Sequence, residues 1–336
     1  MDLFALTRAL IDIDSVTPNE LAVGRFLHDR LEELTRKHGG DVTRTEVEPD
    51  RYNVFARWGR PDVVLSTHMD TVPPFIASGE DDEHIWGRGA CDTKGIIAAM
   101  ITALESLLEE GVRNIGILFV VGEEVDSVGA RKANEQAPGS KYLINGEPTE
   151  NKLGLGSKGA LRLEIEAHGK MAHSAYEELG DSAINKLLDN LQALRSLKLP
   201  EDPVLGPSTC SIGKISGGRA ANVIPDYAQA SVMLRVVGEI EDLKKLVLSA
   251  FDDRVKVSMP VQTPRVLLKS APGFETSIVK YTTDIPKLTN WGRPLLLGPG
   301  SIQVAHTEEE RVSKKQLLEA VELYKKLVKQ LQKEAA

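Results

Sequence analysis

Histidine and acidic residues stand at four separated places in the chain, each just after an apolar run or at the start of a helical pattern. These places are His68 with Asp70, Asp92, the pair Glu123-Glu124 with Glu147, and His306. Imidazole and carboxylate ligands without cysteine suit zinc, cobalt or manganese, and one carboxylate can bridge two ions about 3.5–4 Å apart. The residue types therefore favour a two-metal site that carries out hydrolysis.

The adjacent pair Glu123-Glu124 offers two carboxylates for two different tasks. One can bind a metal ion while the other takes a proton from a water molecule whose pKa the ion lowers. Asp92 is the natural bridge between two ions. Taken alone, Asp92 could equally be a helix N-cap, and Glu147, which precedes a proline, could be an ordinary turn residue.

Strands and helices alternate around these residues. Strands are predicted over residues 53–58, 63–67, 115–121 and 141–145, and helices over 17–38 and 96–108. Thr17 is expected to cap the first of these helices, and Gly39 to end it. The alternation predicts an α/β fold with a doubly wound sheet, in which strand ends converge on one crevice. We therefore expect the four places to meet there.

The pattern changes near residues 156–159, where alternating polar and apolar residues replace solid apolar runs. From there the predicted order is strand 161–167, helix 182–197, strands 210–216 and 228–236, helix 241–250 and strand 255–258. This βαββαβ order is the split-βαβ pattern. After a turn-rich segment at 260–264, a buried strand at 294–297 and a long terminal helix follow. The sequence thus predicts one domain of residues 1–157 and 265–336, with an α+β domain of residues 158–264 inserted into it.

Composition excludes several classes of protein. The 336 residues carry a formal net charge of −8, with no clustered Lys/Arg stripe for a nucleic acid and no apolar run near the ~20 residues of a membrane span. Gly87-Arg88-Gly89 is not followed by Gly-Lys-Ser/Thr, so a phosphate loop is excluded. With only two cysteines and no signal-like start, we expect a cytoplasmic location.

The assembled order of motifs resembles the M20 family of dinuclear metallopeptidases and deacylases. The matching segments are residues 68–73, residues 87–95, Glu123-Glu124, Glu147-Pro148-Thr149, and residues 298–301 leading to Ala305-His306-Thr307. The resemblance implies a zinc-peptidase-like catalytic domain with an inserted ferredoxin-like lid and dimerisation domain. It also implies two divalent ions, with zinc expected first and cobalt or manganese as alternatives.

Individual roles follow from the same resemblance. It implies that Asp92 bridges the ions, that His68 and Glu147 complete one site, and that Glu124 and His306 complete the other. The remaining implied catalytic roles are Glu123 as general base and Asp70 as the residue that orients His68.

Four further residues match positions near the substrate in this family. His173, within residues 169–174, resembles the histidine that stabilises the oxyanion in the partner subunit's active site. Asn222 and Arg235 resemble residues near the substrate carboxylate, and Gly300 lies in the motif before the last histidine. A bidentate guanidinium suits a carboxylate. The resemblance also implies a homodimer formed through the lid.

Within the family, residues 147–149 and 298–306 look most like those of acetylornithine deacetylases, which favours an N-acetyl amino acid and a place in arginine biosynthesis. Residues 281–286 depart from the commoner acidic pattern. A desuccinylase for diaminopimelate, an acetylcitrulline or acetyl-lysine deacetylase, and an aminoacylase or dipeptidase would use the same metal residues. A non-catalytic metal-binding relative is the alternative from a different class, against which the presence of Glu123 and all five ligands argues.

Overall fold

The computed structural model describes residues 1–335, which form seven α-helices and a series of strands. The helices are α1 Leu3–Ile11, α2 Leu21–His38, α3 Gly95–Glu109, α4 Val128–Asn134, α5 Ala183–Arg195, α6 Ile240–Leu248 and α7 Lys314–Ala335. The strands of three or more residues are β1 Asp41–Glu48, β2 Arg51–Trp58, β3 Val63–His68, β4 His84–Trp86, β5 Ile115–Val120, β6 Tyr142–Asn145, β7 Leu153–Ser157, β8 Gly159–His168, β9 Thr209–Gly217, β10 Tyr227–Val236, β11 Val255–Thr263, β12 Thr276–Val279, β13 Arg293–Leu296 and β14 Arg311–Ser313. Across these residues, no helix combines the length and apolarity that a membrane span requires.

The chain divides into two compact units. The first comprises residues 1–155, 268–277 and 283–335, and the second comprises residues 156–267 and 278–282. Sequence reasoning placed residues 156–157, 265–267 and 278–282 in the first domain, whereas the structure groups them with the second unit.

A six-stranded mixed sheet forms the centre of the first unit, in the order β1-β2-β5-β3-β6-β13. The strands β5, β3, β6 and β13 run parallel, whereas β1 and β2 add antiparallel pairs at one edge. The side chains of β3 and β5 are all buried, which explains their continuous apolar sequences. Because the strands are parallel, the residues that follow β3, β5 and β6 emerge at the same edge of the sheet.

Apolar side chains project from both faces of this sheet. Along β3, Val63 and Leu65 join the large cluster that contains α1, α2, α3 and α7, while Val64 joins a smaller cluster with Trp291. The helix α3 is buried along most of its length and packs against α7. A sheet covered on both faces holds its strand ends rigidly, which is what a site built from those ends requires.

The second unit is a four-stranded antiparallel sheet in the order β9-β10-β8-β11. Leu161, Leu163 and Ile165 of β8 alternate with polar residues and pack with apolar residues of α5 and α6. The chain order of these elements is strand, helix, strand, strand, helix, strand, which is the split-βαβ arrangement.

Two local predictions differ from the structure. Thr17 does not cap α2, because its hydroxyl donates instead to Asp70 Oδ2 at 2.7 Å, and Glu20 occupies the cap position without a side-chain bond. The strand predicted to stop at Ser258 continues as β11 to Thr263. Its pairing shifts register between Ser258 and Val261, around Pro260, and a proline without an N–H is tolerated at such an irregularity on an edge strand.

Candidate metal centre and active site

The site in the first unit is built around Asp92, in the turn of residues 90–94 that precedes α3. Its Oδ1 lies 3.1 Å from Nε2 of His68, and its Oδ2 lies 3.3 Å from Nε2 of His306. The two oxygens of one carboxylate thus face two different imidazoles. This is the geometry that a carboxylate bridging two ions needs.

His68 ends β3, and its ring is held from both sides. Its Nδ1 lies 3.0 Å from the backbone carbonyl of Asp70 and 3.5 Å from that residue's carboxylate. Because a carbonyl only accepts, Nδ1 carries the ring proton in the neutral form, and Nε2 is free to bind an ion. The expected orientation of His68 by Asp70 therefore involves the main-chain oxygen as the nearest acceptor.

The carboxylate of Asp70 has other tasks. It is fully buried and accepts hydrogen bonds from the backbone N–H groups of Glu123 at 3.1 Å and Glu124 at 3.2 Å, besides the Thr17 hydroxyl. Burial raises the pKa of Asp70, but its bonds to His68, Thr17 and these amides outweigh burial and keep the pKa below its usual value. Asp70 therefore fixes the turn after β5 that presents both glutamates.

Glu124 and His306 meet on the other side of Asp92. The distance from His306 Nε2 to Glu124 Oε2 is 3.1 Å, and hydrogen bonds to Asp92 and Glu124 raise the pKa of His306 to about 10. His68 also has a raised pKa, because its bonds to Asp70 and Asp92 outweigh burial. Each imidazole lies between two carboxylates, so the negative charge of the carboxylates must be balanced locally. A proton on the imidazole or a bound metal ion can supply this positive charge.

Glu123 and Glu147 complete the predicted set. The Glu147 side chain is buried, and its Oε1 has no hydrogen-bond partner. Burial is the main cause that raises the pKa of both glutamates, and repulsion by Asp284 adds to it in each, with repulsion by Glu123 adding further for Glu147. A buried carboxylate oxygen without a donor is costly unless a cation approaches it.

These residues fit divalent ions. One ligand atom from each of His68, Asp92 and Glu124 lies within 4.8 Å of the others. Zinc lies about 2.0–2.2 Å from nitrogen and oxygen ligands, so atoms this close can surround bound ions. The cluster takes His68 from one predicted metal site and Glu124 from the other, with Asp92 common to both. In residues 1–335 the one other cluster of this kind is His28, Asp29 and Glu32 on α2, where Asp29 is exposed.

Three predicted residues, His173, Asn222 and Arg235, lie in the second unit. The pair Ala172–His173 bonds to Val223–Ile224, and the Ser174 N–H donates to the Asn222 carbonyl, so His173 and Asn222 belong to one local loop pair.

Arg235 lies on β10 between its neighbours Thr209 and Ala160. Its side chain is half-buried, burial lowers its pKa, and it makes no ion pair with an acidic residue among the described part of the chain.

Gly300 lies in the first unit with φ of 89°. A Cβ there would meet Cys91 Cβ at 2.4 Å, so glycine is needed for the chain to pass beside the turn that holds Asp92. Its N–H donates to Gln316 and its carbonyl accepts from Glu150. Both backbone groups of Gly300 therefore already have hydrogen-bond partners within the protein. Its expected contact with substrate stays a prediction.

Two residues of the site were not found from the sequence. Asp284 is buried, and burial raises its pKa to about 7. Glu310 is buried and accepts from the backbone N–H of Asp92 at 3.2 Å. The one available signal was that Arg88, in the Gly87-Arg88-Gly89 motif, would need an acidic partner if buried.

Comparisons with known proteins agree with this geometry. A model of peptidase family M20/M25/M40 matches residues 64–330. A peptidase M20 domain-containing protein of Schizosaccharomyces pombe is 40% identical over 339 residues, covering 97% of this chain and 84% of the relative. A probable carboxypeptidase of Aspergillus niger is 37% identical over 368 residues, covering 96% and 88%. The chain therefore belongs to the M20 peptidase family, and it is a hydrolase that acts on amide C–N bonds.

Solved structures support the fold. A tripeptidase from Staphylococcus aureus superposes with a TM-score of 0.83 at 23% identity, covering 98% of both chains. Aminopeptidase PepT from Bacillus cereus gives a TM-score of 0.82 at 22% identity, again covering 98% of both chains. The predicted α/β fold class is confirmed by these likenesses.

Proposed function

We propose that this enzyme hydrolyses the amide bond of an N-acyl amino acid with the help of two divalent metal ions. The observation that carries the proposal is the position of Asp92, whose two oxygens face His68 and His306 separately. In this proposal His68 and Glu147 complete one metal site, and Glu124 and His306 complete the other. Zinc is the first expectation, with cobalt and manganese as alternatives.

A divalent ion held by these residues would supply Lewis acidity, which polarises an amide carbonyl and lowers the pKa of water. Glu123 is proposed as the general base. The Glu123 N–H donates a hydrogen bond to Asp70, which holds its backbone in place. The pKa of the Glu123 carboxyl is raised chiefly by burial, and the nearby positive charge of His68 lowers it in part. Glu123 takes a proton from the attacking water and passes it to the leaving amine.

His173 is proposed to stabilise the oxyanion in the active site of the partner subunit of a homodimer. Its Nδ1 accepts a hydrogen bond from the Ala175 N–H at 3.1 Å, which leaves the ring proton of the neutral form on Nε2. An Nε2–H is a donor of the kind that a developing oxyanion requires, worth about 10²–10³ in turnover.

Arg235 is proposed to bind the α-carboxylate of the amino acid, and Asn222 and Gly300 are proposed as further substrate-binding residues. The absence of an acidic partner for Arg235 among residues 1–335 supports this role, because a half-buried guanidinium gains most from an anionic ligand. A homodimer formed through the second unit and a cytoplasmic location stay predictions, and light scattering of the purified protein tests the first.

The first candidate substrate is N-acetylornithine, in a step of arginine biosynthesis, because residues 147–149 and 298–306 look like the motifs of acetylornithine deacetylases. Hydrolysis of N-succinyl-diaminopimelate, of N-acetylcitrulline or N-acetyl-lysine, or of an aminoacylase or dipeptidase substrate would use the same metal-binding residues. The second candidate is removal of a carboxyl-terminal amino acid from a peptide, favoured by relatives named probable carboxypeptidases. Both candidates share an amide beside a free carboxylate.

Amine release from a panel of substrates tests the proposal. The protein is loaded with zinc or cobalt and given N-acetylornithine, N-acetylcitrulline, N-succinyl-diaminopimelate, a dipeptide and an N-blocked dipeptide. Turnover of one acylated amino acid, reduced about 10²–10⁴-fold in Glu123→Gln, is the expected result. Turnover of the peptides alone would select the second candidate, and silence on every substrate with two metals bound would favour a non-catalytic relative.

A further inference from the structure

Arg88 and Glu310 form a buried ion pair close to the candidate metal centre. The side chains are 2% and 1% exposed, and Arg88 Nη1 lies 2.6 Å from Glu310 Oε2. The two residues are 222 positions apart in the chain, and neither has a role among the metal ligands or the catalytic residues assigned above. A buried ion pair is weak evidence for stability, because well-packed apolar residues can often replace it at little or no loss.

Glu310 holds the turn that presents Asp92. Its Oε1 accepts the backbone N–H of Asp92 at 3.2 Å and that of Cys91 at 3.3 Å, while Oε2 faces Arg88. Asp92 has φ of −126° and ψ of 82°, outside the helical region, so helical hydrogen bonds do not fix its backbone. The Glu310 carboxylate therefore supplies the hydrogen bond that places the backbone of Asp92.

Arg88 joins the other segments that carry ligands. Its Nε donates to the Pro74 carbonyl at 3.2 Å, in the segment that follows His68, and its Nη1 donates to the Thr307 carbonyl at 3.1 Å, directly after His306. One guanidinium thus contacts the loops of both histidines, and its ion pair connects them to the turn of Asp92. The planar, rigid fork of arginine suits this task better than lysine.

We propose that the Arg88–Glu310 pair positions the metal ligands by setting where Asp92 lies relative to His68 and His306. This inference rests on the proposed function, since it takes Asp92 as the bridging ligand. Both are positioning residues: they touch neither ion nor substrate, and they act through the backbone of the ligand segments. Partners that orient metal ligands typically contribute 10–100-fold to metal affinity.

Cobalt binding tests the proposal without substrate. The metal-free wild type, Arg88→Met and Glu310→Gln are titrated with Co²⁺, in competition with a chelator, and the visible absorption spectrum of the bound ion is recorded. In Glu310→Gln the single amide oxygen can serve either Arg88 or the backbone N–H groups, not both. We expect both variants to bind Co²⁺ about 10–100-fold more weakly and with an altered spectrum, while circular dichroism keeps its wild-type form.

A matched control is the ion pair between Arg30 of α2 and Glu105 of α3, 2.8 Å apart, whose other charged partners in the described chain are Glu33 and Lys37. Glu105→Gln removes this carboxylate away from the ligand segments, and it should leave Co²⁺ affinity and spectrum unchanged. If a single variant fails to fold, the double variant Arg88→Met/Glu310→Met, which buries no unpaired charge, carries the same expectation. Wild-type affinity and spectrum in folded variants would overturn the positioning role alone, whereas a wild type that binds no Co²⁺ would overturn the metal centre and this inference together.

Discussion

Buried carboxyl groups in this site differ in what surrounds them. Asp70 is surrounded by donors, which keep its pKa low. Asp284 is also buried, but neither of its oxygens makes a hydrogen bond of standard geometry, although Ser127 lies nearby, and burial raises its pKa to about 7. The carboxyl group of Asp70 is therefore ionised, whereas that of Asp284 keeps its proton to a much higher pH.

The variant Asp284→Asn tests this difference through pH. The pKa of an aspartate in the unfolded chain is about 3.9. Between about pH 4 and 7 the folded protein keeps a proton that the unfolded chain has lost, so wild-type stability falls as pH rises through this window and levels off above it. Asparagine does not titrate, so the variant has no such loss of stability. Its free energy of unfolding relative to wild type should therefore rise by up to about 1.4 kcal/mol per pH unit within this window.

Urea unfolding of both proteins in chelator at pH 4.5, 5.5, 6.5 and 7.5 measures this slope. Asp253→Asn, at an exposed position, is the control and should show no such trend. A constant difference between Asp284→Asn and wild type over the whole range would contradict the prediction.

At the level of elements, one ion pair connects the start of α2 to β2. Arg51 donates to both oxygens of Glu20, at 2.8 Å from Nε and 2.6 Å from Nη2, and the Glu20 side chain is fully buried. Arg51 also pairs with Glu48, whose side chain is half-exposed. The residue at the N-cap of α2 is therefore Glu20, held by a bidentate contact, and not Thr17 as the sequence predicted.

Glu20→Gln should lower the free energy of unfolding by about 3 kcal/mol, because it leaves the Arg51 charge buried without its main partner. Glu48→Gln is the matched control on the same guanidinium, and since its carboxylate is half-exposed, we expect a loss of less than about 1 kcal/mol. Urea titration of the three proteins measures both values. Equal losses in the two variants would show that burial of Glu20 is not the cause.

On the scale of the whole molecule, all five candidate ligands lie in the first unit, on segments far apart in the chain. An ion that joins such segments binds the folded chain and not the unfolded one. It therefore stabilises the protein by about 2.7 kcal/mol when present at 100 times its dissociation constant. Metal removal is consequently a test of stability as well as of activity.

A chelator should lower the Tm of the first unit by about 5–10 °C, given about 2–4 °C for each kcal/mol in a folding unit of about 150–250 residues, the size range of this unit. Differential scanning calorimetry with and without chelator, followed by addition of zinc, measures the change and its reversal. Asp92→Asn, which lacks a full bridging carboxylate, should lose most of the response. An identical Tm in all conditions would speak against bound structural ions.

Chain order and local pattern were enough to predict the ligand types, the buried strands that precede them and the split-βαβ order of the second unit. These features can be predicted from short stretches of sequence, because burial imposes an alternating or continuous apolar pattern on each strand. The ends of parallel strands also converge, so residues that follow them are expected to lie close together. The family resemblance rested on the same local motifs.

Tertiary structure alone decided which groups satisfy one another. The pairing of Arg88 with Glu310, the use of Thr17 by Asp70, the burial of Asp284 and the packing of Gly300 on Cys91 all join residues distant in sequence. Local patterns carry no information on such contacts, because the direction and burial of a side chain depend on how separate elements pack. For that reason the sequence predicted the candidate ligands of this site, and only the fold determined which residues hold them in place.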